Sequence, residues 1–186
     1  MNIRTSIILI WNLFDPIYFM FTRLHYIKTK SDIPCVFRVR VTKYRGENVI
    51  LSDGTPIQKN DLLLKIHLHN SKILKESLII RNPLYKGRMV YKMVLQSMPM
   101  LAEYIEKHPK RSHIKGIIGV TTINKGVRSL GFDLVFPRSK FYQILKRIMQ
   151  FPIYFLSSSS FSLNHMKKNK PVYLIMSAEK LMCQYL

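Results

Sequence analysis

The chain has 186 residues, 47% of them hydrophobic and 11% aromatic, which is enough for one domain with a real core and too little for two. Thirty Lys and Arg against ten Asp and Glu give a formal charge of +20, so polyanions and anionic membrane surfaces attract it, while a disordered or fibrous chain is excluded. Cys35 and Cys183 are too few for a disulfide framework or a cysteine zinc site, and a reducing compartment is the default.

Residues 7–21 are apolar and follow Arg4, but Asn12, Asp15 and Pro16 interrupt them. No uninterrupted stretch reaches the ~20 residues that a membrane span needs. Nor does a small-residue cleavage site follow, since Thr22, Arg23, Leu24, His25 and Tyr26 come next. We read a broken amphipathic segment that packs on the domain, with peripheral membrane contact through residues 7–21 as the alternative. A polar linker, residues 28–34, closes this N-terminal unit of residues 1–33. A single domain of residues 34–186 follows.

Residues 36–43 alternate, with Phe37, Val39 and Val41 facing one way and Arg38 and Arg40 the other. Tyr44-Arg45-Gly46 turns the chain into a short strand at 49–51. Asp53-Gly54 then suits a two-residue hairpin turn. The return strand is read at about 62–69, with Leu62, Leu64, Ile66 and Leu68 opposite Leu63, Lys65, His67 and His69. This predicts an antiparallel meander with one core face and one basic face. Residues 70–89 read as irregular, broken by Pro83 and Gly87. Val90, Val94, Met98, Leu101 and Ile105 then form a helical stripe over 90–107, which Pro99 is expected to kink or divide. Ser97 is a candidate cap for its second piece.

Residues 114–136 read as strand, short capped helix, glycine stop and strand. Ile114, Ile117, Ile118 and Val120 make the first strand, Thr121 and Thr122 cap, and Gly131 ends the helix. Phe132, Leu134 and Phe136 alternate in the second strand. A helix over 139–150 follows, then an apolar run at 152–156, a serine loop at 157–160 and a basic turn at 164–170. Residues 171–176 read as a last buried strand, and Ser177 caps a C-terminal helix through Leu181 and Tyr185. The fold class is α+β: a mixed, largely antiparallel sheet flanked by helices, with a central β-α-β unit.

His67 and His69, two apart on one strand face, have a spacing that suits one metal, but two half-exposed histidines on a basic face are the reading we adopt, and no metal site is predicted. Asp53 and Asp61 flank the hairpin; turn chemistry explains the first and capping the second. Thr121 either caps a helix or bonds a substrate. Arg38, Arg40, Lys43, Arg45 and Lys65 are expected to form one patch across the meander, joined by Arg81, Lys86 and Arg88. Phosphate contacts from such a patch are salt-sensitive and sequence-blind. No RNA-recognition signature accompanies it, and nucleic acid is not the expected partner.

Several local patterns together resemble the bacterial YkoP-like domain family. They are Tyr44-Arg45-Gly46, Asp53-Gly54-Thr55 with Ile57, Asp61, His67-Leu68 with Asn70, Gly119-Val120-Thr121, Leu130-Gly131-Phe132, and Ser177 with Leu181 and Tyr185. One departure is Asn60, where that family tends to place glycine. The family occurs alone and behind polysaccharide deacetylase domains. The resemblance implies a small accessory module of the bacterial cell envelope, cytoplasmic or peripheral at the inner face of the membrane, that binds an anionic glycan or lipid surface. It also makes His67 and Asn70 the better site candidates, with Thr121 a third; the catalytic residues are otherwise open, as is whether the protein is an enzyme.

The central unit separately resembles the closing half of the acetyl-CoA-dependent N-acetyltransferase fold. That likeness implies an acyl-CoA-dependent enzyme, with acetyl-CoA held by backbone amides at a helix N-terminus. Residues 81–88, the matching loop, hold a single glycine, Gly87. No cofactor is predicted outside this alternative.

Overall fold

A computed structural model describes residues 24–27, 35–77, 80, 82–121, 126–137, 144 and 171–186. The readings of residues 7–21, the 28–34 linker, the 139–150 helix and the serine loop lie outside them.

Six of the described strands form one sheet. They are β1 (His25–Tyr26), β2 (Phe37–Lys43), β5 (Leu62–Leu68), β6 (Ile114–Thr121), β7 (Asp133–Val135) and β8 (Val172–Ser177). Their order is β1-β2-β5-β6-β8-β7, and only the β5–β6 pair is parallel. The sheet is therefore mixed and mostly antiparallel, in an α+β fold. A separate two-stranded hairpin joins β3 (Val49–Ile50) to β4 (Pro56–Ile57).

The hairpin corrects the expected meander. Asp53-Gly54 does turn the chain, with Gly54 at φ 83, but the return strand is β4, and β5 pairs instead with β2. The reason is length and pattern. β2 and β5 are seven-residue alternating strands that match at every position from Phe37↔Leu68 to Lys43↔Leu62, whereas β3 has only two residues to offer.

The central unit also differs. β6 and β7 are not neighbours, because β8 inserts antiparallel between them, pairing with six residues of β6 and three of β7. β8 offers β6 six pairing positions, whereas β7 has only three residues in all. The adjacent parallel crossover runs instead from β5 through α1 (Asn70–Ser77) and α2 (Pro83–Glu106) to β6. Before Gly131, the described residues show a 3₁₀ turn at Arg128–Leu130, not a longer helix, and Gly131 itself sits at φ 88 as expected.

Residues 70–89, read as irregular, are mostly helical. Asn82 accepts from Leu84 N at 2.9 Å and Pro83 takes the first helical position, where its missing N–H is harmless. The helix then continues through Pro99 to Glu106. Ser97 caps nothing. Its buried Oγ donates to Met93 O at 2.8 Å and accepts from Val36 N at 3.1 Å, fastening the start of β2 to the helix.

The first face of the sheet (Phe37, Val39, Leu64, Ile66, Ile117, Leu174, Met176) packs against Met98, Leu101 and Ile105 of α2 and Leu181 of α3 (Ala178–Tyr185). Leu63, Ile118 and Ile175 on the second face pack against Tyr44, Leu51 and Ile57, so the hairpin lies over that part of the sheet. Each such side chain contributes roughly 1.5–3 kcal/mol on full burial.

Candidate anion-binding site

The register of β2 and β5 places Arg38 opposite His67 and Arg40 opposite Lys65. All four project from the second face, since their neighbours Phe37, Val39, Leu64 and Ile66 are core residues of the first. β1 adds Tyr26 opposite Arg38. Arg38 Nη2 donates to the Tyr26 hydroxyl at 2.8 Å, and its guanidinium carbon lies 5.0 Å from that ring's centroid. The Tyr26 and His69 rings are 5.6 Å apart. Arg38 is only 3% exposed, while Arg40, Lys65, His67 and His69 are half-buried.

This cluster sits where the parallel ladder stops. The pairing of β5 with β6 ends at Lys65↔Ile118, although the strands continue to Leu68 and Thr121. Beyond that point Ile66 lies against Gly119, where a Cβ would come within 3.2 Å of Ile66 Cγ1.

The other expected patch members lie elsewhere. Lys86 and Arg88 belong to α2, on the opposite side of the sheet. Lys43 and Arg45 are exposed at the end of β2 and in the turn after it, and Arg81 lies outside the described residues. Sequence order suggested one patch; the sheet divides it in two. On α2, Arg88 and Lys92 are exposed and Lys86 half-buried, beside Leu84 at 77% and Tyr85 at 59% exposure. The sequence pattern does not show this apolar rim, because Pro83 and Gly87 make the segment read as irregular.

The carboxylates have structural partners. Asp53 Oδ1 accepts from Thr55 N at 3.0 Å and Oδ2 from Ser177 Oγ. Ser177 Oγ in turn accepts from Lys180 N at 2.9 Å, capping α3. Lys180 Nζ bonds Ser52 Oγ at 3.0 Å, and both the N–H and the hydroxyl of Ser52 donate to Asp133 at 3.0 Å. This network ties the hairpin turn to β7, β8 and α3. Burial pushes the Asp53 carboxyl up, but hydrogen bonds from Ser177 and Thr55 and the Lys180 charge outweigh it and hold the pKa below its usual value. Asp61 accepts from Gln58 N at 2.6 Å and pairs with Lys115 at 3.1 Å, where the β5–β6 register shifts. Sequence reading found the Ser177 cap but not its bond to Asp53, 124 residues away.

Beside this network, Thr55, Ser177, Met182, Arg111 and Lys115 help line a cleft of about 350 Å³. Both cations are already paired, Arg111 with Glu106 at 2.7 Å and Lys115 with Asp61. Among the described residues no three His, Cys, Asp or Glu converge on a metal position. Thr121 ends β6 opposite Val172, and Asn70 opens α1.

The YkoP domain profile matches residues 4–185. The chain belongs to the YkoP domain family. It is 48% identical over 182 residues to the "Uncharacterized protein YkoP" of Bacillus subtilis (strain 168), covering 98% of this chain and 97% of that one. No solved structure matches at a significant level, so the acetyltransferase likeness has no structural neighbour behind it. No helix among the described residues is long and apolar enough to cross a membrane.

Most YkoP-like patterns in the chain are joints of the fold. Gly46 packs so closely over Tyr44 that a Cβ would overlap the phenol end. Asn60 has φ 76, a left-handed conformation that asparagine tolerates better than most residues. From there its N–H bonds Tyr44 O at 2.8 Å. Asp53, Gly131 and Ser177 are accounted for above.

Proposed function

We propose that this YkoP-domain protein is a basic accessory module of the cell envelope that binds anionic headgroups through the outward face of α2. One observation carries the reading: Arg88 and Lys92 are exposed on α2 together with Leu84 and Tyr85, Lys86 is half-buried nearby, and α2 has no acidic residue before Glu103. Lys86, at the end of the first turn, opposes the helix dipole, whose effect fades beyond that turn, and the run of cations with no nearby carboxylate suits an external anion. A lipid bilayer supplies the complementary surface, with acidic headgroups for the cations and an acyl boundary for Leu84 and Tyr85. Each cation near such a surface contributes about 1 kcal/mol, so three amount to roughly a hundredfold in affinity.

Co-sedimentation with phosphatidylglycerol and phosphatidylcholine vesicles tests the reading, with an anionic glycan as a parallel arm. Salt-sensitive binding to the acidic vesicles, weakened about a hundredfold in a Lys86→Glu, Arg88→Glu, Lys92→Glu variant, is expected. Equal binding by the variant, or equal binding to both lipids, overturns it. Binding to glycan and not to vesicles assigns the headgroups to glycan.

A second reading, an acyl-CoA-dependent N-acetyltransferase-like enzyme, is favoured by the end of the parallel ladder at Lys65↔Ile118. A rise in unfolding midpoint with acetyl-CoA that survives moderate salt supports it, and no rise removes it.

A further inference from the structure

We propose that two joined turns at one end of the sheet, bearing Lys43, Arg45 and Lys59 with the carboxamides of Gln58 and Asn60, form a surface that binds an acidic polysaccharide. It is separate from Lys86, Arg88 and Lys92 of α2, and it stands whether or not those residues bind lipid.

β2 ends at Lys43, and the chain beyond it stays paired with the residues that lead into β5. Tyr44 N donates to Asp61 O and Asn60 N to Tyr44 O, both at 2.8 Å. Asn60, at φ 76, and Asp61 therefore both lie opposite Tyr44, as in a β-bulge, which places Arg45 beside Lys59 on the facing chain. Lys59 N donates to Asn48 Oδ1 at 3.0 Å and Gln58 N to the Asp61 carboxylate at 2.6 Å. Backbone groups thus hold the turns together, while the side chains of Lys43, Arg45, Gln58, Lys59 and Asn60 are exposed.

None of the three cations has an ion-pair partner among the described residues. Of the carboxylates in the same turns, Asp61 pairs with Lys115 at 3.1 Å and Glu47 has other contacts. The neighbouring side chains choose among polyanions. Tyr44 is 2% exposed, so the turns offer no aromatic face on which a base could stack. Residues 43–48 and 58–61 also expose no apolar side chain that could enter an acyl boundary. They do offer the carboxamides of Gln58 and Asn60, neither of which has a hydrogen-bond partner among the described residues. A carboxamide donates and accepts, which suits the hydroxyls of a sugar, while the cations take its acid groups. Ser97 of α2 bonds Val36 at the opposite end of β2, and Arg88 and Lys92 precede it. β2 alone spans about 20 Å, more than twice the Debye length in physiological salt, so the two cationic surfaces act independently.

The test is titration calorimetry of the full chain with polygalacturonate, with neutral dextran and inorganic polyphosphate in parallel. Saturable binding to polygalacturonate and none to dextran is expected. A Lys43→Gln, Arg45→Gln, Lys59→Gln variant is expected to weaken it about tenfold. Gln58→Ala with Asn60→Gly, where glycine keeps the positive φ, is expected to weaken polygalacturonate about threefold or more and to leave polyphosphate unchanged. Arg88→Gln with Lys92→Gln on α2 is expected to leave polygalacturonate binding unchanged even where vesicle binding falls. The proposal is overturned if polygalacturonate does not bind, if dextran binds equally, or if the turn variant binds like the unaltered chain. It is also overturned if the α2 variant loses as much as the turn variant, or if the carboxamide variant loses polyphosphate and polygalacturonate alike, since charge alone would then explain the binding. Should the triple variant have a lowered unfolding midpoint, Arg45→Gln with Lys59→Gln carries the comparison.

Discussion

The second face of the sheet has two halves that share one alternation and end differently. Along β5, Leu63 faces the same way as Lys65 and His67, two and four residues further on. Over Leu63, Ile118 and Ile175 the hairpin lays Leu51 and Ile57, with Tyr44 beside them, and Leu63, Ile57 and Ile175 are 0% exposed. Next to this closed cluster stand Arg38, Arg40, Lys65 and His67. A hairpin with two-residue strands covers only a small area, and it covers the apolar part. The contrast separates burial that holds the fold from burial that positions charge.

Tyr44 breaks the apolar half most directly. It is 2% exposed, and its hydroxyl finds no hydrogen-bond partner among the described residues. Tyr44→Ala is expected to cost about 3–5 kcal/mol in chemical denaturation. Tyr44→Phe, which removes only an unsatisfied group, should be neutral or stabilising by about 1 kcal/mol. A large loss in the phenylalanine variant would show that the hydroxyl is bonded.

Ser177→Ala sharpens the comparison at the network that holds the hairpin over the apolar half. Losing the α3 cap and the Asp53 bond should cost about 1–2 kcal/mol. The pH dependence has a definite sign. Asp53 is more acidic in the folded chain than in the unfolded one, so its contribution is fully present above the unfolded-state value and is lost as pH falls through the folded one. Without the Ser177 bond that acid-dependent loss should shrink. An unchanged acid limb in urea melts from pH 6 down to about pH 3 would contradict the assignment.

The smallest effect belongs to the outer helix. Arg88→Gln with Lys92→Gln should leave stability within about 0.5 kcal/mol, since neither residue has an ion-pair partner among the described residues, while vesicle binding falls. Destabilisation well beyond that would mean that these cations serve the fold.

The alternation in 36–43 and 62–69, the Asp53-Gly54 turn, the glycine stop at Gly131 and the Ser177 cap were legible because each depends on a few adjacent residues. The start of α2 was obscured by Pro83 and Gly87, which read as breakers. At the first helical position proline costs nothing, and a glycine in an exposed turn costs only ~1 kcal/mol, which the packing of Met98, Leu101 and Ile105 outweighs. The candidate site was half legible. Arg38, Arg40 and Lys65 were visible as one basic face, but the burial of Arg38 and its hold by Tyr26 depend on β1, whose two residues carry too little pattern to be seen.

By itself the sequence determined the α+β class, the excess of positive charge, and which side of each long strand faces the core, because periodicity and composition are local quantities. The tertiary structure decided that β5 pairs with β2 and not with the hairpin, that β8 separates β6 from β7, and that the basic residues fall on two sides of the sheet. Those outcomes depend on which strands are long enough to satisfy one another's backbone groups and which faces remain to be covered. No stretch of a few residues carries that information.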